Sequence, residues 1–135
     1  MKILLAACNA KYIHSNLAVY DLRAYASAYQ EHILLREYTI NQTKDEILKD
    51  IYLSGADVVC FSCYIWNISF VRDLLEDLHK ILPDVKFWTG GPEVSFDAEA
   101  FLRRTPQVTG VMVGEGEKTF LELVRYYVDG VGTFI

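Results

Sequence analysis

Five short apolar runs, each followed by a stretch with helical periodicity, constrain this chain more than any other feature. The runs occupy residues 2–9, 33–40, 57–61, 85–89 and 111–113. Each is too short for a helix, and the first is apolar nearly throughout, which reads as a strand buried on both faces. Strands that alternate with helices point to right-handed βαβ units and a parallel sheet covered by helices on both sides. Five strands favour an α/β, flavodoxin-like (Rossmann-like) doubly wound sheet in the order 2-1-3-4-5.

Local signals set the boundaries. Ser15 or Asn16 caps a first helix that runs to about residue 29, with Ala18, Leu22, Tyr25, Ala26 and Tyr29 on one face. Arg36 and Glu37 interrupt the second strand, which suits a sheet edge. Thr43-Lys44-Asp45-Glu46 is a capping box; the helix behind it buries Ile47, Leu48 and Ile51, and Gly55 ends it as a left-handed cap. The third strand continues into residues 62–66. Asn67 then caps a helix to residue 82 with Ile68, Val71, Leu74, Leu75, Leu78 and Ile81 on one stripe. A short helix is expected over 98–103. A last one is expected over 118–128, with Phe120, Leu121, Val124 and Val128 inward and Gly130 at its end. Residues 1–130 form one domain, and 131–135 read as the start of a linker to a further domain.

Composition excludes several function classes. With 52% hydrophobic and 23% charged residues among 135, the chain can bury a core. Its formal net charge of -5, without any Lys/Arg-rich run, argues against nucleic acid as a partner. No apolar stretch is long enough to span a membrane, and the apolar start is too short for a signal peptide, so a cytoplasmic protein is expected. The three cysteines, Cys8, Cys60 and Cys63, do not suggest a disulfide framework. Cys60-Phe61-Ser62-Cys63 has the spacing of a metal or redox pair. On one strand, however, residues three apart face opposite sides, and these cysteines read as small buried apolar groups.

In such sheets ligands bind beyond the carboxyl ends of the strands, near the point where strand order reverses. The loops at that edge are 9–16, 62–67, 90–95 and 114–117. After the fourth strand, Gly90 and Gly91 remove two side chains and Pro92 cannot continue the ladder. A phosphorelay receiver needs carboxylates at this edge, where the chain has Cys8-Asn9, Ser62-Cys63 and Gly114. A flavin phosphate needs several hydroxyls and backbone donors after the first strand, and that loop offers one Ser and one Lys without a dinucleotide fingerprint. Tyr64 and Trp66 lie beyond the strand body and read as rim residues. Glu115 and Glu117 read as charges favourable at a helix N-terminus rather than as acid–base groups.

One family shares the details of this edge. The chain opens with a strand leading into Asn9-Ala10-Lys11-Tyr12-Ile13-His14-Ser15-Asn16. Ser62 ends the third strand, Gly90-Gly91-Pro92-Glu93 follows the fourth, and Gly114-Glu115-Gly116-Glu117 precedes Thr119-Phe120. In these features, across essentially all of its length, it resembles the N-terminal cobalamin (vitamin B12)-binding domain of radical S-adenosylmethionine enzymes. The resemblance implies a corrin over the carboxyl ends of the strands, with its nucleotide tail in a groove. The implied cofactor-binding residues are Asn9, Ala10, Ser15, Asn16, Ser62, Cys63, Tyr64, Gly90, Gly91, Pro92, Glu93, Gly114, Glu115 and Gly116. It assigns no catalytic residue.

Two departures qualify it. The Asp-x-His-x-x-Gly of methionine-synthase-like domains is missing, and His14, the one histidine of the first loop, has Tyr12 and Leu17 where that motif has Asp and Gly. The implied cobalt therefore has no protein ligand. The Cys-x-x-x-Cys-x-x-Cys of the radical enzymes is also missing. The expectation is a segment of a longer enzyme whose C-terminal radical domain binds a four-iron cluster (4Fe-4S) and S-adenosylmethionine, with methyl transfer among its reactions. The alternatives are a flavodoxin-like flavin or nucleotide binder and an interaction module without a small ligand.

Overall fold

The computed structural model describes residues 1–9, 17–39, 41–62, 68–91, 98–113 and 116–130. The five apolar runs are strands: β1 (Ile3–Asn9), β2 (Ile33–Thr39), β3 (Val58–Ser62), β4 (Lys86–Gly90) and β5 (Gly110–Met112). All four neighbouring pairs are parallel, and the order is β2-β1-β3-β4-β5. The expected flavodoxin-like sheet is therefore present. Every residue of β1 is buried, as a central parallel strand requires. β2 is buried only at Ile33 and Tyr38, as its edge place dictates.

Among the described residues, five α-helices cover the sheet: α1 (Leu17–Tyr25), α2 (Lys44–Ser54), α3 (Ile68–Ile81), α4 (Ala98–Arg104) and α5 (Gly116–Asp129). Because strand side chains alternate, the sheet feeds two cores. Leu4, Ala6, Val59, Phe61 and Phe87 face α2, α3 and α4, where Ile47, Leu74, Leu78 and Phe101 meet them. Ile3, Leu5, Cys60, Trp88 and Met112 face α1 and α5, where Phe120, Leu123 and Val124 meet them. Thr43 Oγ1 accepts from the Glu46 N–H at 3.2 Å, and Gly55 closes α2 at φ 69°. Both ends of that helix are as its sequence prescribes.

Three expectations need correction. The first helix stops at Tyr25, and a 3-10 helix (Ser27–His32), itself kinked at Tyr29, follows. Tyr25 is consequently 54% exposed, while Ala26 and Tyr29 still reach the core. Ile81, placed on the inner stripe of α3, is 45% exposed at the helix end. The last helix starts earlier than expected, at Gly116. The caps assigned to Ser15, Asn16 and Asn67 lie outside the described residues.

A close approach explains one glycine. Trp88 and Gly110 are register partners, and a methyl group at Gly110 would overlap the Trp88 ring. The indole crosses β5 there and donates its N–H to the Tyr127 hydroxyl of α5 at 2.9 Å. Gly110→Ala is expected to cost about 1–3 kcal/mol through overpacking, read as a lower urea midpoint. Adding Trp88→Leu to it should cost less than the two single losses combined, since the smaller side chain removes the overlap.

Candidate functional site

Parallel pairing collects all five carboxyl ends on one edge of the sheet, and the order reverses between β1 and β3. One register row crosses that edge: Glu37, Ala7, Ser62, Gly90 and Met112 are successive partners from β2 to β5. Register partners in a parallel sheet point to the same side, here the α1/α5 side. The three central members are Ala, Ser and Gly. The row next to it on the other side reads Arg36, Ala6, Phe61, Thr89 and Val111. The side chains are thus cut back over the centre of one face only. One row deeper on that face lie Leu5, Cys60 and Trp88, which close the shelf from below.

Asn9, the last residue of β1, sits at this reversal and is 2% exposed. Its Nδ2 donates to Glu37 Oε1 at 3.3 Å. Its Oδ1 is buried and has no hydrogen-bond partner among the described residues. Leaving such an oxygen unpaired costs about 1–3 kcal/mol. Tyr20 of α1 donates its hydroxyl to Glu37 Oε2 at 2.9 Å, and that bond raises the phenol's pKa. Glu37 is therefore more than an edge charge. Only its register with Ala7, two residues before Asn9, reveals the link.

Of the other expected site residues, Ser62 ends β3, partly buried, and Gly90 ends β4, fully buried. A Cβ at Gly90 would lie 3.2 Å from Met112 Cε, so the methionine side chain borders the space that the glycine opens. Gly91 has φ 109°, a conformation for which glycine is suited. Gly116 is the first residue of α5, and a Cβ there would come 3.4 Å from Leu22 Cδ2, an ordinary contact with α1. Thr119 ties the start of that helix back to β5 by donating to the Val113 carbonyl at 3.3 Å. Ala10, Ser15, Asn16, Cys63, Tyr64, Pro92, Glu93, Gly114 and Glu115 lie outside the described residues, as do His14 and Trp66.

The remaining reactive groups are inert or distant. Cys8 is buried, and desolvation pushes its thiol up to about 12; Cys60 moves in the same direction for the same reason. No cluster of three or more His, Cys, Asp or Glu side chains able to hold a metal occurs among the described residues. His32 lies just before β2 with its Nδ1 3.0 Å from the Met1 carbonyl, and His79 is in the last turn of α3. Both are at the amino edge, opposite the shelf. A cleft of about 260 Å³ between α3 and α4, lined by Arg72, Asp73, Glu76 and Arg104, includes no strand residue. No described helix is long and apolar enough to cross a membrane.

Comparison with known proteins places this geometry in context. The model of the B12 binding domain family matches residues 3–124. The cobalamin-dependent radical SAM methyltransferase TokK of Streptomyces tokunonensis is 34% identical over 68 residues, 50% of this chain and 10% of that protein. The 2-(S-pantetheinyl)-carbapenam-3-carboxylate methyltransferase of Streptantibioticus cattleyicolor is 35% identical over 72 residues, 53% of this chain and 11% of that protein. The chain thus spans about a tenth of the length of these curated relatives. Among solved structures, the cobalamin-dependent S-adenosylmethionine radical enzyme OxsB superposes with a TM-score of 0.73 at 18% identity. That match covers 97% of this chain and 19% of OxsB, and at that identity it speaks for the fold alone.

The burial of Cys8 and Cys60 gives a direct check. At about pH 8 their thiolate fractions are too small for reaction. Iodoacetamide is expected to leave both unlabelled in the folded chain and to label both in urea, as mapped by peptide mass spectrometry. Labelling of Cys60 in the folded state would show that the core beneath the shelf is open.

Proposed function

The chain belongs to the B12 binding domain family, and from that premise we propose that it holds cobalamin across the carboxyl ends of its strands as one segment of a radical S-adenosylmethionine enzyme. The observation that carries the site assignment is the row of Ala7, Ser62 and Gly90 beside the buried Oδ1 of Asn9, which has no partner among the described residues. A corrin is wide and flat and is fringed with carboxamides. It needs a floor of small residues with polar groups at its border, and the α1/α5 side of this edge fits both needs.

The residues divide the work. Asn9 supplies an acceptor at the strand-order reversal. Ser62 offers a hydroxyl to the nucleotide tail. Gly90 and Gly91 let the tail approach the backbone, with Met112 moving aside as a flexible, unbranched side chain can. Ala10, Ser15, Asn16, Cys63, Tyr64, Pro92, Glu93, Gly114 and Glu115 complete the site from the loops between these elements. Gly116 sets the angle at which α5 leaves it. Bound here, the cofactor supplies a cobalt centre able to carry a methyl group.

The lower cobalt face receives no histidine from this chain in this reading. His32 and His79 lie at the far edge, and the first loop lacks the Asp-x-His-x-x-Gly pattern. Residues 1–130 act as the cobalamin domain, and 131–135 lead toward a C-terminal radical domain in the cytoplasm. In this reading that domain holds the four-iron cluster and S-adenosylmethionine; the chain matches only about a tenth of relatives one of which is named a radical SAM methyltransferase. Methyl transfer is the favoured overall reaction, because both curated relatives are named as methyltransferases.

The test is retention. After incubation with hydroxocobalamin and gel filtration, the chain should keep the corrin absorption, and flavin mononucleotide should elute free. After reduction to cobalt(II), electron paramagnetic resonance should show no nitrogen coupling from a protein ligand, and His14→Ala should leave the spectrum unchanged. Retained flavin with lost corrin would overturn the cofactor assignment. A nitrogen coupling abolished by His14→Ala would overturn the absence of a ligand.

A further inference from the structure

The buried amide of Asn9 is held in one of its two orientations, and the group that holds it lies on another strand. An ionised carboxylate accepts hydrogen bonds and donates none. Placed against Asn9, Glu37 tolerates the amide N–H2 and repels the amide oxygen. The Asn9 Nδ2 to Glu37 Oε1 bond therefore determines that Oδ1 faces the other way, into the buried position where it has no protein partner among the described residues. Tyr20 completes the arrangement by occupying Oε2 of the same carboxylate. Three elements, α1, β1 and β2, thus converge to keep one acceptor oxygen unspent at the strand-order reversal.

Among the described residues, two other buried side-chain oxygens have no hydrogen-bond partner, Thr89 Oγ1 and Thr105 Oγ1. Both are hydroxyls that rotate freely about one bond, and no such clamp orients either. Thr89 points to the opposite face, and Thr105 follows α4. Asn9 is the one at the shelf.

We propose that Glu37, supported by Tyr20, is a positioning residue that fixes the Asn9 amide so that Oδ1 accepts an N–H from a side-chain carboxamide of the corrin. This rests on the cobalamin reading of the site. It adds a chemical selection. The edge group that meets Asn9 must be a donor, so a carboxamide is accepted and a carboxylate in its place is rejected, because two acceptors would then face each other without a proton between them. Glu37 and Tyr20 need not touch the ligand at all.

Equilibrium binding of hydroxocobalamin, and of cobinamide, which keeps the ring amides but lacks the nucleotide tail, tests this. Glu37→Ala should weaken both by about tenfold, the worth of one well-placed hydrogen bond. Glu37→Gln should recover affinity to within about threefold, since the Gln carbonyl accepts from Asn9 while its N–H2 donates to the rotatable Tyr20 hydroxyl. Asn9→Leu, close in size and without polar atoms, should bind weakly, and adding Glu37→Ala to it should weaken binding no further. The melting temperature of Glu37→Gln should stay near that of the parent, whereas Glu37→Ala, which leaves the buried Asn9 Nδ2 without this acceptor, should lower it by a few degrees while the chain stays folded at the binding temperature. Unchanged binding in Glu37→Ala, or a loss that adds in full to that of Asn9→Leu, would overturn the positioning role while leaving the cofactor assignment intact. Binding of neither corrinoid by the unaltered chain would overturn the cofactor assignment and this inference with it.

Discussion

Parallel pairing of β1 with β2 on one side and β3 on the other is the constraint from which the rest follows. It forces each connection to return across a face of the sheet, which accounts for the helices on both sides. It also puts every carboxyl end on one edge and leaves a reversal point between β1 and β3. The crossovers that start on its two sides leave onto opposite faces, which is where sheets of this kind admit a ligand. The register then decides what the ligand would meet: Ala7, Ser62 and Gly90 in one row, with Asn9 at its border.

The two faces of the sheet divide support from binding. Under α2, α3 and α4, Phe61 and Phe87 fill the space completely, and a ligand would have to displace core. Under α1 and α5 the bulk begins one row lower, with Trp88 laid across Gly110 and held by Tyr127. The floor is rigid because its largest side chain is fixed at both ends, by packing and by a hydrogen bond. A shelf of small residues over such a floor keeps its shape without a ligand, which lowers the cost of ordering on binding.

Much of this was legible in the sequence, and the reason is periodicity. Strands of apolar residues and helices with one apolar stripe leave few packing solutions, so the order 2-1-3-4-5 and the two cores follow from pattern. Thr43 and Gly55 were legible because a helix end has a local chemical grammar. The parts that were not legible depend on pairs distant in sequence. Glu37 reads as an edge charge until its register with Ala7 places it beside Asn9. Gly110 is unremarkable until Trp88 lies over it. Tyr25 fits a helical stripe, yet the helix ends on it and a 3-10 turn follows, and no single residue there announces the break. Gly116 reads as part of a ligand loop, and the structure puts it at the head of α5, beside Leu22.

The central claim is spatial: one edge of the sheet, on one face, receives the corrin. Backbone amide resonances recorded with and without hydroxocobalamin test it most directly. The account predicts shifts at Asn9, Ser62, Gly90 and Gly91, with Lys2, Asp57 and Lys86 at the opposite edge unmoved. Shifts confined to the amino edge, or to the outer side of α3 and α4, would contradict it.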